Sequence, residues 1–146
     1  MGADASADYP LARGRRDAIR TPSGLRLDDL TLDALRAGRL ESAEMRATGE
    51  TLRLQADVAV AAGRPQLAAN LARAAELSEL SDDLILAIYT ALLPHRSTRD
   101  ELERWAARLE GEFSAPLTAA FVREAASVYA TRGLLSLGGR PGTPTL

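Results

Sequence analysis

A single histidine, His95, stands beside Arg96 and Ser97, and a histidine next to a serine raises the question of a nucleophile with its base. The spacing argues against that chemistry. A catalytic triad needs side chains that converge from separate parts of the chain, with an acid orienting the imidazole, and contiguous residues do not converge in this way. Ser97 is better placed as a helix cap, and His95 reads as a packing or rim residue. The carboxylates come in adjacent pairs, Asp28–Asp29 and Asp82–Asp83, a pattern that invites acid–base work or a hard metal ion. Neighbours at a helix start point apart rather than at one another. Their charge against the positive end of a helix dipole accounts for both pairs more simply.

Residue types that are missing exclude more than those present suggest. There is no cysteine, so disulfides, thiolate nucleophiles and thiolate metal sites are all excluded. All 18 basic residues are arginine. Without lysine there is neither a Schiff base nor the lysine of a Walker-type phosphate loop. One histidine and no cysteine leave little for a transition metal to hold. The glycine-rich GGRPG (138–142) has no strand before it and no helix after it, and reads as a linker. Trp105 lies on a regular apolar stripe and is expected in the core. Asn70 shares a helical face with Leu67, Ala74 and Leu77, so its amide is expected to be buried and to need partners, within the chain or across a subunit boundary. We identify no catalytic, cofactor-binding or metal-ligating residue.

Arg13, Arg15, Arg16 and Arg20 cluster near the amino terminus. Such an arm can enter a minor groove, and a small helical DNA-binding or adaptor protein using it is the competing reading. It predicts salt-dependent nucleic-acid binding. Against it, the formal net charge of -2 gives no global pull towards nucleic acid or anionic lipid. A stand-alone enzyme ranks third, for want of any reactive site. MGADASADYP lacks the basic and apolar segments of a secretory signal, and no apolar run approaches the ~20 residues of a membrane span. A reducing cytoplasm suits the chain.

These residues must be positioned by helices. At 146 residues the chain has room for one modest core. Residues 1–26 read as an extended arm, 27–133 as an all-α bundle of about five helices, and 134–146 as a flexible tail. Thr31 caps a short helix that Gly38 closes. Leu52, Leu54, Ala56, Val58 and Val60 alternate as in a strand, but the alanine content, the closing Gly63 and the lack of a pairing strand favour a helix. Pro65 suits the first turn of the next helix, whose face is expected to carry Leu67, Leu71, Ala74 and Leu77. Ser81 caps the following helix and Pro94 ends it. Ser97 with Asp100 has the spacing of a capping box. Leu102, Trp105, Ala106, Leu109 and Phe113 then recur at helical intervals, leaving Arg99, Asp100, Glu103, Arg104 and Arg108 to water. Ser114 and Pro116 open the last helix, and Gly133 closes it.

Two of these helices carry more apolar surface than one buried face requires, which is roughly three positions in seven. Leu84 to Leu93 leave almost no polar stripe, and Leu117, Phe121, Val122, Ala125, Val128 and Tyr129 wrap well past one face. One such helix could be the centre of a bundle. Two in so short a chain point to apolar surface covered by another protein, the alternative being that both are simply core, which the alanine-rich composition permits because small side chains allow close packing.

The blocks NLARAAEL (70–77), DDLILAIYTALLPHRST (82–98) and AAFVREAASVYATR (119–132) resemble, in order and spacing, the small subunit of adenosylcobalamin-dependent diol and glycerol dehydratases. The likeness extends to ETLRLQA (50–56), LDDLTLDALRAG (27–38) and DYPLA (8–12). It implies a heterohexamer, a dimer of three-subunit units. In such an assembly the large subunit holds the substrate, and the cobalamin lies between the large and medium subunits. Radical dehydration there converts propane-1,2-diol or glycerol to an aldehyde. It carries no catalytic residue onto this chain, which is expected to be inactive alone and not to hold the cofactor.

The departures from the family are specific. His95 stands where an aromatic residue is usual, and Leu84 and Leu93 where arginine is common. TPSG (21–24) looks more like the glycerol branch, EMRATGETLRLQA (44–56) more like the diol branch. Only MGADASA precedes DYPLA, which argues against encapsulation in a microcompartment through this subunit. Tyr9, Pro10 and Leu11, with exposed parts of the two over-apolar helices, are expected to dock on the large subunit. Arg96 and Arg123 are the expected polar anchors, since a guanidinium makes paired bonds to carboxylates at an interface rim. The alternative is that both arginines only cap helix ends within the chain.

Overall fold

Local signals place most of the helix ends. The structure is a computed structural model that describes residues 9–138. Among the described residues it holds seven α-helices and no strand: α1 (Leu11–Gly14), α2 (Leu32–Arg36), α3 (Gly49–Ala61), α4 (Pro65–Leu77), α5 (Asp82–Ala91), α6 (Arg99–Gly111) and α7 (Pro116–Arg132). Three short 3-10 turns lie among the first of these. The Thr31 hydroxyl accepts the Ala34 amide at the start of α2, and the Ser81 hydroxyl accepts the Leu84 amide at the start of α5. Each satisfies one of the amides that a helix start leaves unpaired. The alternating stretch 52–60 is helical, within α3.

The chain divides into two compact units, with the boundary between Glu79 and Leu80. In the first, α3 and α4 form an antiparallel hairpin across a turn at Gly63, whose φ of +68° suits a residue without a side chain. Its core is almost all alanine: Ala56, Ala59 and Ala68, with Leu71 and Ala72 packed against them. Small side chains let the helices approach closely. A β-carbon at Gly49 would lie 3.1 Å from the Ala75 carbonyl oxygen. The face of α4 is therefore rotated from the expected one. Ala68 and Ala75 are buried while Leu67 is exposed, because alanine fits the narrow seam and leucine does not.

The stretch read as an extended arm contains structure from residue 9 onward. It holds α1, a 3-10 turn and a single antiparallel bridge between Arg20 and Arg26. The residues before DYPLA and those after Gly138, including most of GGRPG and of the expected flexible tail, lie outside the described residues.

The second unit is α5, α6 and α7 around a core of Ile88, Ala91, Leu102, Ala106, Leu109, Ala115, Ala119, Val122 and Ala126. Leu102, Leu109 and Val122 are its largest fully buried side chains. The expected stripe on α6 faces inward, with one adjustment. Trp105 is half-buried at the edge of the core, and the Arg108 guanidinium lies over its ring, 5.2 Å from the centroid.

Two caps differ from expectation. Thr98, not Ser97, caps α6. Its hydroxyl accepts the Glu101 amide, and Glu101 reaches back to the Thr98 amide at 2.7 Å, closing the box with the longer acid rather than with Asp100. Ser97 is buried instead, donating its hydroxyl to the Ala91 carbonyl at 2.8 Å. Ser114 has φ of +51° and makes no cap. The α7 helix begins at Pro116, whose missing amide is one that would have no partner there.

Candidate functional site

The segment from Leu92 to Thr98 joins α5 to α6, and it is held from three sides. The Tyr129 hydroxyl donates to the Leu92 carbonyl at 2.6 Å. Past α7 the chain turns at Gly133, with φ of +64°, and returns. There the His95 amide donates to the Leu134 carbonyl at 2.7 Å, and the Ser136 amide donates to the Ser97 carbonyl at 2.9 Å. Residues 134–136, counted with the tail from sequence, thus fasten this loop. His95 is exposed with φ of +60°, a rim position. Ser97 is buried and committed to Ala91, so the two do not form a nucleophile and base.

The fixed loop sits at the end of an uncovered stripe. Leu86, Tyr89 and Leu93 are 66%, 54% and 56% exposed. Their spacing of three and four residues places them on one side of α5 and its last turn. Arg96 lies three residues further on, past the end of the helix and in the loop, where helical spacing no longer places it; it is exposed, with no side-chain hydrogen bond or ion pair among the described residues. On α7, Leu117, Phe121 and Val128 are also exposed, though less so. The excess apolar character of these two helices therefore does leave surface uncovered.

Arg123 is engaged within the chain. Its Nε donates to Glu103 at 2.9 Å and a terminal nitrogen donates to Glu110 at 2.8 Å, both on α6. These contacts hold the Glu110 carboxyl below its usual range and raise the guanidinium further, with Glu110 the larger cause and Glu103 the next. These bonds use two of the five N–H donors of the guanidinium, whose side chain stays 36% exposed.

In the first unit the expected site residues separate. Tyr9 is 74% exposed and Pro10 is exposed, but Leu11 is buried. The arginine cluster is not an open basic array. The Arg16 guanidinium forks onto Asp28 and holds that carboxyl below its usual range, chiefly through the hydrogen bond. Arg20 donates to the Ile19 carbonyl, and the nearby Arg26 pairs with Asp17 at 2.6 Å. Asn70, expected to be buried, is exposed and accepts from Arg73 one turn on, because its face of α4 is not the packed one.

Sequence reasoning did not find these long-range pairs, since nothing in the chain says which carboxylate an arginine will meet. It also did not single out Leu86 and Tyr89 as surface. Their only signal was the lack of a polar stripe on α5.

One depression, about 390 Å³, is open and lined in part by Asp28, Asp29 and Arg39. No cluster of metal-ligating side chains occurs among the described residues. No helix among them is long and apolar enough to cross a membrane.

Comparison with known proteins decides what kind of subunit this is. The family model for the dehydratase small subunit matches residues 5–136. The chain belongs to the dehydratase small subunit family. It is 50% identical over 125 residues to the propanediol dehydratase small subunit of Citrobacter freundii, covering 86% of this chain and 73% of that one. It is 48% identical over 126 residues to the propanediol dehydratase small subunit of Salmonella typhimurium, with the same coverage. Membership of a small-subunit family implies a multi-subunit dehydratase, and the uncovered stripe on α5 is in keeping with life in a complex.

Proposed function

We propose that this chain is the non-catalytic small subunit of a cytoplasmic dehydratase, a hydro-lyase that converts 1,2-diols such as propane-1,2-diol and glycerol to aldehydes. The observation that carries the reading is the family match across 5–136, with about half of the residues identical to two propanediol dehydratase small subunits. On this reading the large and medium subunits hold the substrate and adenosylcobalamin in a heterohexamer, a dimer of three-subunit units. When bound there, the cofactor supplies the radical chemistry. This chain supplies assembly. It has no cysteine and no lysine, and its one histidine is spent on a loop rim. Little remains with which to grip a corrin or guide a radical.

The test is a reconstitution. The purified chain should leave the absorption spectrum of adenosylcobalamin unchanged and form no aldehyde from propane-1,2-diol. Aldehyde should form once the larger subunits of the same enzyme are added. Tight cobalamin binding or turnover by the chain alone would overturn the proposal. The nucleic-acid reading has no observation in its favour, since Arg16 is committed to Asp28 and Arg20 to a neighbouring carbonyl.

A further inference from the structure

One end of the second unit is closed by chain that comes from beyond its last helix. After Gly133 the backbone reverses, and residues 134–136 run along the α5–α6 loop, touching it at two points. The His95 amide donates to the Leu134 carbonyl at 2.7 Å, and the Ser136 amide donates to the Ser97 carbonyl at 2.9 Å. Between these bonds Leu135 packs, partly buried, against the core that contains Ile88, Leu102 and Val122. One side chain and two backbone bonds are a small holding beside a helix packed along its length.

The loop under this strap is in an unfavourable form. His95 has φ of +60°, the left-handed region, where a residue with a β-carbon is disfavoured. Its side chain is exposed and makes no hydrogen bond or ion pair among the described residues, so it does not fix the backbone. The bond from its amide to Leu134 does. The two ends of the loop are held without the strap. Leu92 is held by the Tyr129 hydroxyl at 2.6 Å, Ser97 by the Ala91 carbonyl at 2.8 Å and Thr98 by Glu101 at 2.7 Å. What lies between, from Leu93 to Arg96, depends on the strap for its conformation.

We infer that residues 133–136 are a latch on the α5–α6 loop: strap and loop open together in one step, His95 leaving the left-handed region, while α6 and α7 stay packed. The inference does not depend on the small-subunit reading. Local openings of this kind occur where few apolar contacts must be given up, and Leu135 is the strap's main one. The coupling is reciprocal. Whatever draws the strap aside releases the loop, and whatever holds the loop in another form displaces the strap. An event past α7 is in this way passed to the end of α5.

Amide hydrogen exchange of the full chain, followed residue by residue by NMR, tests the latch. The His95 and Ser136 amides lie on different segments, yet a single opening should give them protection factors equal within about threefold. Leu135→Ala removes the strap's packing and should speed both about tenfold. His95→Val alters an exposed side chain, and should still speed the Ser136 amide several-fold, because a β-branched residue is less tolerated at this φ. The Ala106 and Val122 amides, in α6 and α7, should be unchanged in both variants. Protection factors that differ by more than about tenfold would mean two independent contacts and overturn the latch. So would a His95→Val form in which the Ser136 amide keeps its rate. Equal acceleration at Ala106 and Val122 would make the strap part of the global core, and unprotected amides at both positions would show it open; either result contradicts the inference.

Discussion

The two compact units are built from the same kind of helix and held by different means. The second is organised around branched aliphatic side chains, with Leu102, Leu109 and Val122 wholly removed from solvent. The first has no such layer. Its hairpin is closed by alanines, and its remaining segments are tied by polar contacts. Arg16 pairs with Asp28, the Ser23 hydroxyl donates to Glu44 at 2.8 Å, and Arg53 pairs with Glu79 at 2.7 Å. Exposed ion pairs of this kind contribute little each. Helix content is thus a poor guide to where a small chain keeps its stability. What matters is whether the buried positions carry enough volume for their removal to leave a hole.

The largest expected effect follows from that contrast. Leu109→Ala should cost about 2–5 kcal/mol, the range for emptying a buried leucine site. The loss should appear in denaturant unfolding followed by Trp105 fluorescence, since that ring packs on the same core. Truncation of Ala56, Ala59 or Ala68, the buried residues of the α3–α4 seam, cannot match it, because each is already alanine. An equal loss from Ala59→Gly would break the comparison.

The first unit should instead be sensitive to added volume. At Gly49 a β-carbon would meet the Ala75 carbonyl oxygen at 3.1 Å and the Glu79 carboxylate at 2.7 Å. Glu79 can swing away, but the backbone of α4 must shift. Overpacking of about 1–3 kcal/mol is offset by about 1 kcal/mol of gained helix propensity. Gly49→Ala should therefore destabilise by about 1 kcal/mol, read as faster amide exchange in α3 and α4 with α6 unchanged. Slower exchange there would show that the seam has slack.

A loss of about 1 kcal/mol is also expected from Thr98→Ala, which removes the cap of α6. Circular dichroism melting should show it. Asp100→Ala, the acid that the sequence favoured for the capping box, should leave the melt unchanged.

Much of the fold was legible from single residues. Thr31, Ser81, Pro65, Pro116 and Gly133 mark helix ends where local chemistry decides the outcome alone. Ser97 and Thr98 show where such reading stops. Both are hydroxyl residues with an acid three positions on, and only the demand of the Ala91 carbonyl for the Ser97 hydroxyl settles the choice. The buried face of α4 was illegible for a related reason. In an alanine-rich helix the few leucines do not define the seam. For the candidate surface, the excess of apolar residues on α5 was plain from the sequence. Which of them remain uncovered depends on packing that brings α7 back to the loop.

The smallest effect concerns a single charge. Arg16 depresses the Asp28 carboxyl, so the pair contributes above the ordinary carboxylate range, and the contribution is lost as pH falls through the lowered folded value. Both groups are about half exposed, so the contribution to stability is slight. The titration of Asp28 by NMR should nevertheless show the shift, and Arg16→Ala should return it to the ordinary range. An unchanged titration in that variant would remove the pair from the account of the first unit.

The central proposal is that this chain acts as a subunit and that the larger subunits carry out the chemistry. Native mass spectrometry of the dehydratase purified through a tag on this chain tests it most directly. The account predicts an assembly in which this chain is present in equal number with the larger subunits, and which alone forms aldehyde from propane-1,2-diol. A tagged chain that flies without larger subunits, or that turns over the diol by itself, would contradict it.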